Sequence, residues 1–102
     1  FDKRRVYMVE RLNGIKGMTC IRPNGAFYAF PNVTGLLGKS FNGRLIETSS
    51  DMATLLLDEV KVALVPGSAF GAEGFLRLSY ATSMEKIKEG MDRIERAAEM
   101  LK

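Results

Sequence analysis

The chain has 102 residues, 46% of them hydrophobic and 26% charged, with a formal net charge of +3. That size and composition suit one small folded domain with one core and exclude a disordered chain. The charge is too modest for a nucleic-acid binder unless clustered, the run Lys3, Arg4 and Arg5 reads as a solvated face, and no apolar stretch approaches the roughly 20 residues of a membrane span.

The chain opens inside a helical pattern. Val6, Val9 and Leu12 recur at helical spacing, and Asn13-Gly14 is a stop signal. A helix without an opening cap is expected of a piece of a longer chain, its C-terminal piece. Residues 18–21 and 26–30 then read as short strands. Asn24-Gly25 between them favours a tight hairpin, because both residues tolerate positive φ. Residues 31–49 carry Pro31-Asn32, Gly35, Gly38 and Asn42-Gly43, and read as a long loop with a turn of helix near Leu36-Leu37.

Thr48, Ser49, Ser50 and Asp51 are N-cap candidates for a helix that runs through Met52, Leu55, Leu56 and Val60. Residues 62–65 form a β-branched apolar strand ended by Pro66-Gly67. Residues 68–74 are a Gly-rich loop, and residues 75–80 are the next strand. Thr82 with Glu85 fits a capping box. Ile87, Met91, Ile94, Ala98 and Leu101 follow at helical spacing as a terminal amphipathic helix. The order is α-β-β-α-β-β-α. It predicts an α+β fold, an α/β sandwich with a small, mostly antiparallel sheet and helices on one face, in a single domain.

The inventory of reactive side chains is short. There is no histidine, which removes the commonest general base and metal ligand, and a lone Cys20 makes a zinc site chemically poor. One cysteine cannot form an internal disulfide, so a reducing, cytoplasmic compartment is expected. Cys20 reads as a buried apolar residue in a strand. Ser83-Met84-Glu85-Lys86 fits a Ser-x-x-Lys pattern in letters only, because helix capping accounts for it. The loop 67–74 lacks the Gly-Lys-Ser/Thr that completes a phosphate-binding loop, and Glu73 would repel phosphate. Phe27, Tyr28 and Phe30 near basic residues allow an RNA-binding sheet as an alternative, although the motif that such sheets carry is not matched. A purely structural module with an orphaned apolar face is a further alternative.

One residue stands out in "GFLRLSY". Alternation along a strand puts Phe75, Arg77 and Ser79 on one face, and Leu76, Leu78 and Tyr80 on the other. With helices over the leucines, Arg77 faces away from them, among aromatic residues such as Phe75 and Phe70. A guanidinium is a rigid fork of donors suited to a carboxylate or phosphate. Spacing alone leaves three readings open: an anion clamp, an internal salt bridge, or an exposed sheet face.

Three separated segments, "RPNGAFYAFPNV", "VALVPGSAFGAEGFLRLSYATS" and "EKIKEGMDRI", resemble the small C-terminal domain of class I and II aminotransferases, enzymes that use pyridoxal 5'-phosphate. The similarity runs over nearly the whole chain and is nearest to the bacterial and archaeal aspartate branch. It implies that Arg77 binds the substrate α-carboxylate and that Phe70 walls the substrate. It also implies that residues 1–13 are the tail of a helix joining a larger domain of the same polypeptide. That larger domain would hold the cofactor and its lysine, leaving the present chain without catalytic or cofactor-binding residues. The whole enzyme would be a homodimer acting on an amino acid, aspartate first, and a 2-oxo acid.

Overall fold

A computed structural model describes residues 2–20, 28–61, 64–79 and 82–102. The predicted hairpin at Asn24-Gly25, the strand residues Ile21, Ala26, Phe27, Val62, Ala63 and Tyr80, and the first residue lie outside them.

Helix α1 spans Asp2–Asn13 and buries Met8, Val9 and Leu12. Helix α2 spans Ser49–Val60 and buries Met52, Leu55 and Leu56. Helix α3 spans Met84–Glu99 and buries Ile87, Met91, Ile94 and Ala97. These side chains meet Leu76 and Leu78 in one core, so burial of apolar surface holds the layers together. Arg11 fastens α1 to α3, with its Nη2 2.7 Å from Asp92 Oδ1 and 3.8 Å from Glu95 Oε1.

The strands are β1 at Tyr28–Ala29, β2 at Lys39–Phe41, β3 at Arg44–Ile46, β4 at Val65–Pro66 and β5 at Leu76–Ser79. Strand β5 lies between β1 and β4, antiparallel to both, with Tyr28 opposite Ser79 and Val65 opposite Arg77. Pro66 has no N–H to give and sits on the edge strand, where that is tolerated. The architecture is the predicted α+β sandwich.

Three expectations are corrected. Residues 31–49 are not one long loop. The expected turn of helix is there, as a 3-10 turn at Thr34–Leu36, but the segment also holds the hairpin β2–β3. Its two-residue turn is Asn42-Gly43, with φ of +50° and +85°, the pair of left-handed residues that matches the twist of a tight hairpin. The predicted strand 18–21 contracts, among the described residues, to a bridge between Thr19 and Asn32. Beside it the Asn13 side chain acts as a substitute strand, donating to Cys20 O and accepting from Cys20 N, both at 2.8 Å. Lastly, Ser83 caps α3, its hydroxyl accepting from Lys86 N at 3.2 Å. Thr82 lies one residue too early, so Glu85 falls at the second helical position and the predicted box cannot form. The capping box is instead on α2, between Thr48 and Asp51.

Candidate functional site

The register of the sheet builds the site. With Tyr28 opposite Ser79 and Ala29 opposite Leu78, one more step sets Phe30 opposite Arg77. The backbone continues that ladder, since Leu76 N donates to Pro31 O at 3.1 Å. Leu76 and Leu78 point into the core and are 1% and 6% exposed, so Arg77 emerges on the other face with Tyr28 and Phe30.

A third ring arrives from the loop after β4. Gly67–Phe70 forms a 3-10 turn that carries Phe70 to the same face. The Arg77 guanidinium carbon lies 4.5 Å from the Tyr28 ring centroid and 5.8 Å from that of Phe70. Phe30 meets Phe70 edge to face at 5.7 Å and 76°. The three rings are partly exposed, at 39% for Tyr28 and 37% each for Phe30 and Phe70, so the cluster opens to solvent. The Tyr28 and Phe70 rings attract the cation and support it without neutralising its charge.

Among the described residues no carboxylate pairs with Arg77, and no acceptor takes its N–H donors. Among the described residues the internal salt bridge is not formed, and the partly exposed rings fit both the anion clamp and the exposed sheet face. The arrangement is a fixed cation, walled by aromatic rings, with donors left for an anion.

The loop itself is tightly held. Gly67 N donates to Phe75 O at 2.6 Å, and Ala72 N donates to Gly67 O at 2.8 Å. A Cβ on Gly67 would come within 1.9 Å of Ala72 O, so no other residue fits there. Glu73 reaches α2, where its Oε2 accepts from Ser49 N at 3.0 Å and from its neighbour Gly74 N at 2.6 Å. A hydrogen bond from the Ser49 side chain, then the Gly74 and Ser49 N–H groups, hold the Glu73 carboxyl below the usual carboxylate range.

Sequence reasoning placed Arg77 and Phe70 correctly beside each other. It missed Tyr28 as the ring nearest the guanidinium, and it missed what Glu73 does. The signal for Tyr28 was the register of the aromatic strand against "FLRLS"; no pattern in the sequence pointed to the Glu73–Ser49 contact. Cys20 is a buried thiol pushed up by that burial, as expected of an apolar role. Ser83 and Lys86 meet through helix capping alone, Lys86 giving its backbone N–H. Among the described residues no helix is long and apolar enough to cross a membrane, and no cluster of His, Cys, Asp or Glu could hold a metal ion.

The family model for aminotransferase class I and II matches residues 1–94. The chain is 49% identical over 96 residues to an aspartate aminotransferase of Streptomyces avermitilis, covering 94% of the chain and 24% of that protein. It is 48% identical over 98 residues to a probable aspartate/prephenate aminotransferase of Rickettsia felis, covering 95% of the chain and 24% of that protein. The crystal structure of the aspartate aminotransferase from Rhizobium meliloti superposes with a TM-score of 0.97 at 45% identity, over 99% of this chain and 26% of that one. The chain thus spans about a quarter of the length of the relatives it matches. It belongs to the class I and II aminotransferase family.

Proposed function

We propose that this chain serves as the small C-terminal domain of a pyridoxal 5'-phosphate-dependent aminotransferase, with Arg77 binding the α-carboxylate of the substrate. The observation that carries the proposal is a guanidinium walled by Tyr28 and Phe70 with no carboxylate of its own among the described residues. Family membership and the printed activities of the relatives support amino-group transfer, with aspartate as the first candidate substrate.

The residues present do not fit the cofactor itself. Among the described residues the side chains against Arg77 are aromatic, with no lysine in contact with it. The family resemblance assigns the cofactor lysine and the groups for the phosphate and ring nitrogen to a larger domain of the same polypeptide. Residues 1–13 are assigned to the tail of the connecting helix. On this reading the 102 residues hold no pyridoxal phosphate and catalyse nothing alone. The complete enzyme is a cytoplasmic homodimer, its substrates an amino acid and a 2-oxo acid.

What this chain does is orient. Two parallel N–H···O bonds from one guanidinium fix both oxygens of a carboxylate, and with them the direction of the bonds at Cα. Phe70 and Tyr28 form walls that lower the local dielectric and strengthen that pair. A substrate held by Arg77 on one side and by the larger domain on the other also favours closure between them.

The test is Arg77→Lys in the whole enzyme. Lysine keeps the charge but loses the fork, and losing one charge-assisted bond of roughly 1.5–3 kcal/mol lowers kcat/KM by about 10- to 100-fold. Kinetics like those of the parent enzyme would overturn the assignment.

A further inference from the structure

We propose that Glu73 is a positioning residue for the carboxylate site, tying the loop that carries Phe70 to the first turn of α2. This rests on the reading of Arg77 as the carboxylate clamp.

The contacts form a connected set. Ser68 N donates to Ser49 Oγ at 3.3 Å, and Ser49 N donates to Glu73 Oε2 at 3.0 Å. The hydroxyls of Ser50 and Ser68 are 3.0 Å apart. The loop is thus fastened to α2 at Ser68 and again at Glu73, and Phe70 lies between the two fastenings. Ser49 is fully buried, and it is the one buried polar residue recorded among the described residues. Buried polar groups carry a penalty unless satisfied, and Glu73 and Ser68 satisfy this one.

Capping of α2 does not explain Glu73. That helix already has a complete capping box, in which Asp51 N donates to Thr48 Oγ1 and Thr48 N donates to Asp51 Oδ2, both at 3.1 Å. A second carboxylate at the same helix end meets the repulsion of Asp51. What Glu73 adds is a tie across 24 residues of sequence, between the helix and the loop. The other end of that tie leads into the sheet. Gly74 O accepts from Val33 N at 2.8 Å, and Phe75 bridges Asn32, two residues before Arg77. Glu73 therefore sets Phe70 on one side and the entry to β5 on the other. Both determine where the guanidinium sits.

The experiment uses the whole enzyme loaded with its cofactor. KM and kcat are measured for the amino-acid substrate, the Kd is measured for propionate as a non-reacting carboxylate, and the Tm is recorded for each variant. Glu73→Ala is expected to raise KM and the propionate Kd about tenfold while kcat changes less than about threefold, because a slack loop weakens orientation and binding. Glu73→Gln, which keeps an acceptor oxygen, recovers most of that loss. Glu73→Ala with KM and propionate affinity within about twofold of the parent overturns the proposal, whatever happens to Tm. If Glu73→Ala does not fold, Ser49→Ala decides: it removes the acceptor of Ser68 N, the loop's other fastening to α2, and must still raise KM. Failure of the underlying reading looks different. In that case Arg77→Lys leaves propionate affinity unchanged.

Discussion

Tyr28 offers the sharpest test of the proposed site, because it touches the Arg77 guanidinium. Its ring lies 4.5 Å from the Arg77 guanidinium carbon, and it is 39% exposed. An exposed cation–π contact contributes about 0.5–1 kcal/mol, and a more desolvated one about 2 kcal/mol. Partial exposure places this contact near 1 kcal/mol, which corresponds to about a fivefold change in an equilibrium. Tyr28→Leu keeps an apolar side chain of similar bulk and removes the ring face. It is expected to raise KM about fivefold in the whole enzyme and to leave kcat nearly unchanged. Tyr28→Phe keeps the ring and stays within about twofold of the parent. Steady-state kinetics at several substrate concentrations separate the two parameters. If Leu behaves as the parent does, the ring does not hold the guanidinium. If Phe is as damaging as Leu, the phenolic hydroxyl is the working group and the cation–π account is wrong.

Two other outcomes follow from the same structure. Gly67→Ala places a Cβ 1.9 Å from Ala72 O and 2.5 Å from Phe75 O, both backbone atoms that cannot step aside. It should cost about 3 kcal/mol or more and lower the Tm by at least about 10 °C, and a melt within about 3 °C of the parent would show that the loop opens without strain. Acid should weaken the fold through Asp51 and Glu73. Backbone N–H groups, that of Glu47 foremost, hold Asp51 below the ordinary carboxylate range, and the Ser49 side chain does so first for Glu73. A carboxyl lowered in the folded state contributes stability that is complete above its ordinary value, near pH 4, and is lost as pH falls through its lowered one. Denaturant melts between about pH 6 and pH 2 should therefore steepen below about pH 4, and the double variant Asp51→Asn, Glu73→Gln should flatten that limb. An unchanged slope in the double variant would mean that these bonds contribute nothing.

The helices were legible because each repeats one apolar face over several turns. Ile87, Met91 and Ile94 keep their spacing in the core of the folded chain. The hairpin β2–β3 was not legible, since its strands have three residues each and mix Lys39, Ser40 and Arg44 with Phe41 and Ile46. Two-residue periodicity has too few repeats there to register. Only Asn42-Gly43 marked it, and the same dipeptide at Asn24-Gly25 was read as a hairpin because longer apolar runs flank it. Arg77 and Phe70 were legible through their motif. Tyr28 required the register, and Glu73 required a contact between residues 49 and 73, a separation no local pattern spans.

The position of Arg77 also explains why the cation is an arginine. It sits on the central strand of its sheet, where the backbone is hydrogen-bonded on both sides and cannot drift. Its neighbours on that side of the sheet are rings from β1 and from the loop after β4, two segments far apart in sequence. A lysine placed there would present a strongly hydrated point charge, which aromatic walls desolvate at a cost. A guanidinium is weakly hydrated and tolerates ring contact, and it still offers its donors to a carboxylate. The helical face of the sheet supplies rigidity through Leu76 and Leu78, and the aromatic face supplies ring contacts for one partly exposed charge. Alternation along four residues, Leu76–Ser79, is enough to join the two, which is how so short a strand can belong to the core and to the site at once.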